Sequence, residues 1–204
     1  MEKEFQNIYD EIVDLMENAI SESAHPYRTF SLASVDDKSP KVRTVVLRDF
    51  SKKNNYFEFH SDIRSPKLAE LKNNNNFSAL FYSSQTKVQI RFNGKTKVFY
   101  DCSETKKRWD QVTPSSKRCY MGPYSPSESL SEYHPNIPES VQFKNPSDKE
   151  SLIGYKNFVI FWSNAQASVI ELDYYFGSLG FMGTNGKDQR GYPWTIKQGH
   201  LYCW

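Results

Sequence analysis

Between residues 3 and 20 the apolar positions recur at helical spacing, with Phe5, Ile8, Ile12, Leu15, Met16 and Ile20 on one stripe. This predicts an amphipathic first helix that packs on another element, ended by "AHPYR". The period then drops to two. "TFSLASVD" (29–36) puts Phe30 and Leu32 on one face. "KVRTVVLRDF" (41–50) puts Val42, Thr44 and Val46 on one face and Arg43, Val45 and Leu47 on the other. "YFEFHS" reads as a third strand. Residues 65–72 predict a short helix with Ser65 as N-cap, Pro66 at its first position, and Leu68 and Leu71 pointing inward. "FSALFYSS" (77–84) and "TKVQIRFNGKTKVFY" (86–100) give two more strands, the second with a bulge or bend at Gly94.

Beyond residue 100 the texture changes. "SETKKRWDQV" (103–112) predicts a helix, and residues 113–150, rich in Pro, Ser, Tyr and Asn, a long ordered excursion. "NFVIFWS" and "ASVIELDYY" return to strand character as two strands. The tail reads as a hairpin turning at Asn185-Gly186. Short, evenly spaced strands with turn signals predict a mainly β fold, an antiparallel barrel with flanking helices. We expect a single domain over 1–204: an N-terminal helix (1–25), core barrel strands (26–100), a helix and irregular insert (101–150) and closing strands (151–204).

Aromatic residues make up 15% of the chain, which suits pleated faces filled by rings. The net charge of +2 argues against a nucleic-acid binder acting by bulk electrostatics. No apolar run approaches the ~20 residues of a membrane span. The N-terminus lacks a signal-peptide core, so the default expectation is cytoplasmic, away from membranes. Three scattered cysteines (Cys102, Cys119, Cys203) suggest reduced thiols, and four scattered histidines (His25, His60, His134, His200) give no metal-ligand spacing. "NGKT" (93–96) has Gln89 where a phosphate-binding loop needs glycine.

The cations carry more. Arg43 interrupts an apolar strand, Arg48 follows on it, and Arg91 sits beside Gln89 in "VQIRFNG". A charge inside such a strand must face solvent, a partner or a ligand. Lys67, in the first turn of the short helix, opposes the helix dipole unless an anion shares the site. Helix amides, the Ser65 hydroxyl, Lys67 and an arginine fork would together hold a phosphate. The other reading pairs Arg43 with a glutamate and leaves Lys67 exposed.

The order "RTVVLR", "FEFHSDIRSPKLAEL", "FSALFYSSQTKVQIRFNG" resembles the pyridoxamine 5′-phosphate oxidase-like family of FMN-binding split barrels, over roughly residues 26–100. "RSPKLAEL" is most similar to its oxidase-related subgroup rather than the vitamin-pathway enzyme. The resemblance implies FMN as cofactor. It assigns Arg43 and the Thr44-Val45-Val46 backbone to the phosphate and flavin, His60 and Ser61 to the flavin and phosphate, and Lys67 to the phosphate. Gln89 would bond the isoalloxazine ring, often from the other subunit, and Arg48 would lie near flavin and substrate. Pro66 replaces an arginine, and Arg64 is the candidate for the missing charge.

The substrate-phosphate set of the vitamin enzyme aligns on Trp109, Thr113 and Lys117, with Ser115, Ser116 and Arg118 close by. Its C-terminal histidine-arginine motif is absent. The expectation is an FMN-dependent oxidoreductase on an unidentified small molecule, a homodimer with FMN at the interface, with no assigned catalytic residue and no metal. The alternatives are a flavin-, deazaflavin- or haem-binding stress protein, and the vitamin-pathway oxidase itself.

Overall fold

The computed structural model describes residues 2–54, 56–86, 88–172, 184–187 and 193–198. Helix α1 (Glu2–Asn18) leads through a 3-10 turn (Pro26–Arg28) into β1 (Thr29–Asp36), β2 (Ser39–Ser51) and β3 (Tyr56–Asp62). Then come α2 (Pro66–Asn73), β4 (Asn76–Ser83), β5 (Val88–Phe99), α3 (Ser103–Gln111), α4 (Pro114–Lys117), α5 (Asp148–Tyr155), β6 (Phe158–Leu172), β7 (Thr184–Lys187) and β8 (Pro193–Gln198).

The strands run β3-β2-β1-β4-β5-β6, and β6 pairs back with β3, closing a six-stranded antiparallel barrel. Closure removes the unpaired edges of an open sheet. One face of β2 carries Val45 and Leu47 into the core, while Val42 on the other is 67% exposed. The expected bulge is present: the β5–β6 register shifts between Asn93 and Gly94.

That bulge explains one correction. The two strands expected from "NFVIFWS" and "ASVIELDYY" are a single strand, β6, through Leu172. The polar stretch around Asn164 and Gln166 looked like a break. Pairing passes through it because Asn93 faces Ala167 and Gly94 faces Ala165, so the bulge absorbs Gln166. The tail does form a hairpin, but Asn185 and Gly186 are not its turn. They lie within β7 opposite Thr195 and Trp194, and the connecting residues 188–192 fall outside the described residues. An Asn-Gly pair favours a turn but does not compel one where cross-strand partners exist.

The aromatic content fills the barrel. Phe59 stacks on Phe161 at 4.7 Å and Phe30 meets Phe57 edge-on at 5.2 Å, all four almost fully buried. Helix α1 adds Ile12 and Met16 to this core. Outside the β3–β6 wall a second cluster, Trp109, Tyr120, Phe158 and Ile160, holds α3 and the following segment against the barrel. Both faces of that wall are therefore buried. Phe57 and Phe59 point in, and Glu58 and His60 point out beneath α3.

The 113–150 excursion has short helical turns only, and polar contacts add to its apolar anchor at Tyr120. Arg118 donates to the carbonyls of Val141 and Gln142, and Arg64 to that of Gly122 at 3.0 Å. Gly154 on α5 sits where a Cβ would come within 3.0 Å of Met121 Cγ and 3.1 Å of the Trp109 ring. Among the described residues no helix is long and apolar enough to cross a membrane.

Candidate functional site

The first cluster forms where β3 ends and α2 begins. Ser65 has the extended backbone of an N-cap (φ −69°, ψ 137°), yet its hydroxyl does not cap the helix. It accepts from Lys67 Nζ at 2.8 Å, as does Ser61 Oγ at 2.8 Å. Burial first, and then the nearby Arg43 guanidinium, lower the Lys67 pKa from 10.5, with Glu70 and Asp62 opposing. A half-buried ammonium held only by hydroxyl oxygens, and repelled by a second cation, fits an oxyanion. Pro66 costs α2 nothing at its first position, where the missing N–H would be an orphan anyway.

Arg43 binds Glu70 and the Ser34 hydroxyl. The glutamate expected under the alternative reading is therefore present. A guanidinium has five N–H donors in a fork, so this pairing orients Arg43 without using it up. Arg64 grips Asp62 through Nε at 2.9 Å and a terminal nitrogen at 2.6 Å, besides Gly122. Its charge is thus neutralised by a carboxylate beside the cluster.

The second cluster lies on the outer face of the same strand. Glu58 is fully buried. One of its oxygens meets His60 Nε2 at 2.7 Å and Arg108 Nε at 3.1 Å, and the other accepts from Trp162 Nε1 at 2.6 Å. Arg108 also binds Asp49, which accepts from the Tyr56 hydroxyl at 3.0 Å. A buried carboxylate needs such company, since an unpaired one is costly to desolvate. Burial lowers the His60 pKa from 6.5, more than Glu58 raises it, so the imidazole is neutral at pH 7.

A pocket of about 210 Å³ opens over this network, lined by Arg28, Arg48, Glu58, His60, Arg108 and Tyr120. Thr113 and Ser116 complete one wall. Arg28 is spoken for by the Ala19 and Ile20 carbonyls after α1. Among the described residues Arg48 has no hydrogen-bond or ion-pair partner, so its guanidinium is available to a ligand. Three guanidinium groups stand against Glu58 at the pocket and Asp49 behind Arg108, and the positive charge left over favours a small anion.

Of the residues singled out from sequence, Arg43, Ser61 and Lys67 come together, with Thr44 and Val46 beside them on β2 and the Val45 side chain in the core. Arg48 and His60 come together at the pocket. Gln89 does not join them within one chain. It lies on β5, and two strands separate β5 from β2 whichever way one goes round the barrel. Trp109 and Lys117, aligned with a substrate-binding set, are buried, Lys117 with its ammonium 5.4 Å from the Trp109 ring and 3.5 Å from Asp148. Of that aligned set only Thr113 lines the pocket, and Arg108 and Ser116 reach it instead. Glu58, Arg108 and Glu70 were not anticipated. Glu58 left one signal, a charge at i and a histidine at i+2 between phenylalanines, which places both on one strand face.

Residues 10–100 match the model of the pyridoxamine 5′-phosphate oxidase FMN-binding domain family. Over that stretch the chain is similar to the pyridoxamine 5′-phosphate oxidase-like, FMN-binding split-barrel family. A pyridoxamine 5′-phosphate oxidase-related FMN-binding protein from Nostoc punctiforme superposes with a TM-score of 0.64 at 17% identity, covering 91% of this chain and 94% of that one. PhzG from Burkholderia lata, solved with tetrahydrophenazine-1-carboxylic acid, gives 0.57 at 15% identity over 80% and 77% of the two chains. At these identities the likeness is one of fold. No curated protein matches the chain.

Proposed function

We propose that the protein binds FMN and is an oxidoreductase acting on a small molecule, working as a homodimer. The observation that carries this is Lys67, half-buried between Ser61 and Ser65 with Arg43 as its neighbour. These residues would hold the phosphate. Thr44 and Val46 offer an extended outer face leading to Arg48. At ~3.3 Å per residue, Arg43 to Arg48 spans ~16 Å, comparable with FMN from phosphate to ring edge. When bound, the flavin supplies the hydride- and electron-accepting chemistry. The chain's own part is to seat the phosphate, orient the ring along β2, and hold substrate in the arginine-lined pocket. Gln89 on the far wall can reach a flavin only from a second copy, which is why a dimer belongs to this reading.

The test is uptake of FMN by the purified chain. Absorption near ~450 nm that survives gel filtration is expected, on a species sedimenting as a dimer. A colourless monomer after incubation with FMN overturns the reading.

A pH dependence follows from Lys67. Its pKa in the free protein lies below 10.5, and a bound phosphate raises it again. FMN binding therefore takes up a proton at alkaline pH. Affinity is expected to hold steady below the free-protein pKa of Lys67 and to fall as pH rises through it, read by fluorescence titration of FMN between pH 7 and 10.5. The Lys67→Ala variant should lose this alkaline fall.

A further inference from the structure

The imidazole of His60 has two nitrogens in different surroundings. Nε2 lies 2.7 Å from Glu58 Oε1. A carboxylate accepts hydrogen bonds and does not donate, so Nε2 carries the proton and Nδ1 is left as a bare acceptor. Glu58 cannot turn away, because Trp162 and Arg108 fix its oxygens. Phe158 packs edge-on against the ring at 4.8 Å and helps to hold its orientation. Nδ1 meets no protein group among the described residues, and the His60 side chain keeps 8% of its surface exposed. His60 lines the pocket together with Arg48 and Arg108, so with Nε2 turned to Glu58 the free nitrogen is the one left for a ligand there.

We propose that Glu58 is a positioning residue that locks His60 with Nδ1 as a hydrogen-bond acceptor, so the pocket selects small oxyanions that carry an O–H or N–H donor over equally charged ones that carry none. The arginines take the charge. His60 reads the proton. A site that offers an unpaired acceptor rejects a ligand lacking the donor, because the acceptor is desolvated without compensation. This deepens the proposed function by naming the ligand class of its pocket, and it depends on that reading only for the redox partner.

The ligand pair that isolates the effect is phosphate and sulfate, alike in size and shape. Above neutral pH phosphate is mainly a dianion, equal in charge to sulfate, that keeps one O–H, and sulfate has none. The experiment is long-range 1H–15N correlation on the ¹⁵N-labelled full chain, with and without FMN, in a Lys67→Ala background that weakens the other anion cluster. We expect Nε2 protonated and Nδ1 bare. Phosphate should shift the Nδ1 resonance to saturation about tenfold more tightly than sulfate, the worth of one partly solvated hydrogen bond. Glu58→Gln should mix the tautomers and erase the preference. Arg48→Gln should weaken both anions alike while leaving the tautomer intact, a control that holds even where the Glu58 variant fails to fold. A proton on Nδ1, equal affinity for the two anions, or no response of His60 to either overturns the proposal. Because the tautomer is read without flavin, failure to bind FMN would count against the oxidoreductase reading alone.

Discussion

Replacing Lys67 with alanine is expected to weaken FMN binding by roughly tenfold to a hundredfold while leaving the fold intact, the worth of a charge-assisted hydrogen bond to phosphate. The fold should survive because Lys67 serves no carboxylate. Its bonds go to the hydroxyls of Ser61 and Ser65, and burial already disfavours its charge. Arg43→Ala should behave differently. Arg43 is the ion-pair partner of Glu70, whose side chain is only 6% exposed. Removing it leaves a buried carboxylate with the Ser34 hydroxyl alone, at a cost of ~3 kcal/mol in stability besides the loss in FMN affinity. Arg43→Ala combined with Glu70→Gln separates the two effects, since it removes the orphaned charge while the fork is still missing, so the FMN loss that remains belongs to Arg43. Urea unfolding and FMN fluorescence titration on the three variants decide the matter. A Lys67→Ala protein that binds FMN like the parent would remove the phosphate from this cluster, whatever Arg43 does.

Much of this arrangement was legible beforehand, for local reasons. The first five strands each sit between strong turn signals, and their period-two pattern is set by one buried face. Ser65, Pro66 and Lys67 announce a helix start with a misplaced cation, and that contradiction of the dipole rule is what pointed to an anion. What was not legible depends on partners distant in sequence. Gln166 looks like the end of a strand until the bulge at Gly94 is seen opposite it. Glu58 looks like an edge charge until α3, some 50 residues on, lays Arg108 over it. The aligned position Trp109 faces inward because α3 turns its apolar side to the wall, and Lys117 on α4 is buried against the Trp109 ring; the spacing fixed the helix without fixing its rotation. Arg108, one residue earlier, therefore lies at the pocket.

That rotation rests on Trp109, and its removal is expected to have the largest effect on stability. Trp109 is 1% exposed and packs against Phe158 at 5.2 Å and Tyr120 at 5.8 Å. It also lies under Gly154 of α5 and the ammonium of Lys117, so it joins α3 to α4 and α5 on the outer wall. Trp109→Ala should cost ~3–5 kcal/mol, as for other large-to-small core changes. The loss should fall unevenly. The barrel interior, built on Phe57, Phe59 and Phe161, does not contain Trp109 and should keep its strand signal. The covering segment should loosen, and with it the Arg108 contact to Glu58. Hydrogen exchange would show this as protection lost over residues 103–155 and retained in β1–β5, because local opening follows cooperative packing units. Uniform loss across barrel and cover would mean that the two fold as one unit, and that the pocket wall is as permanent as the barrel beneath it.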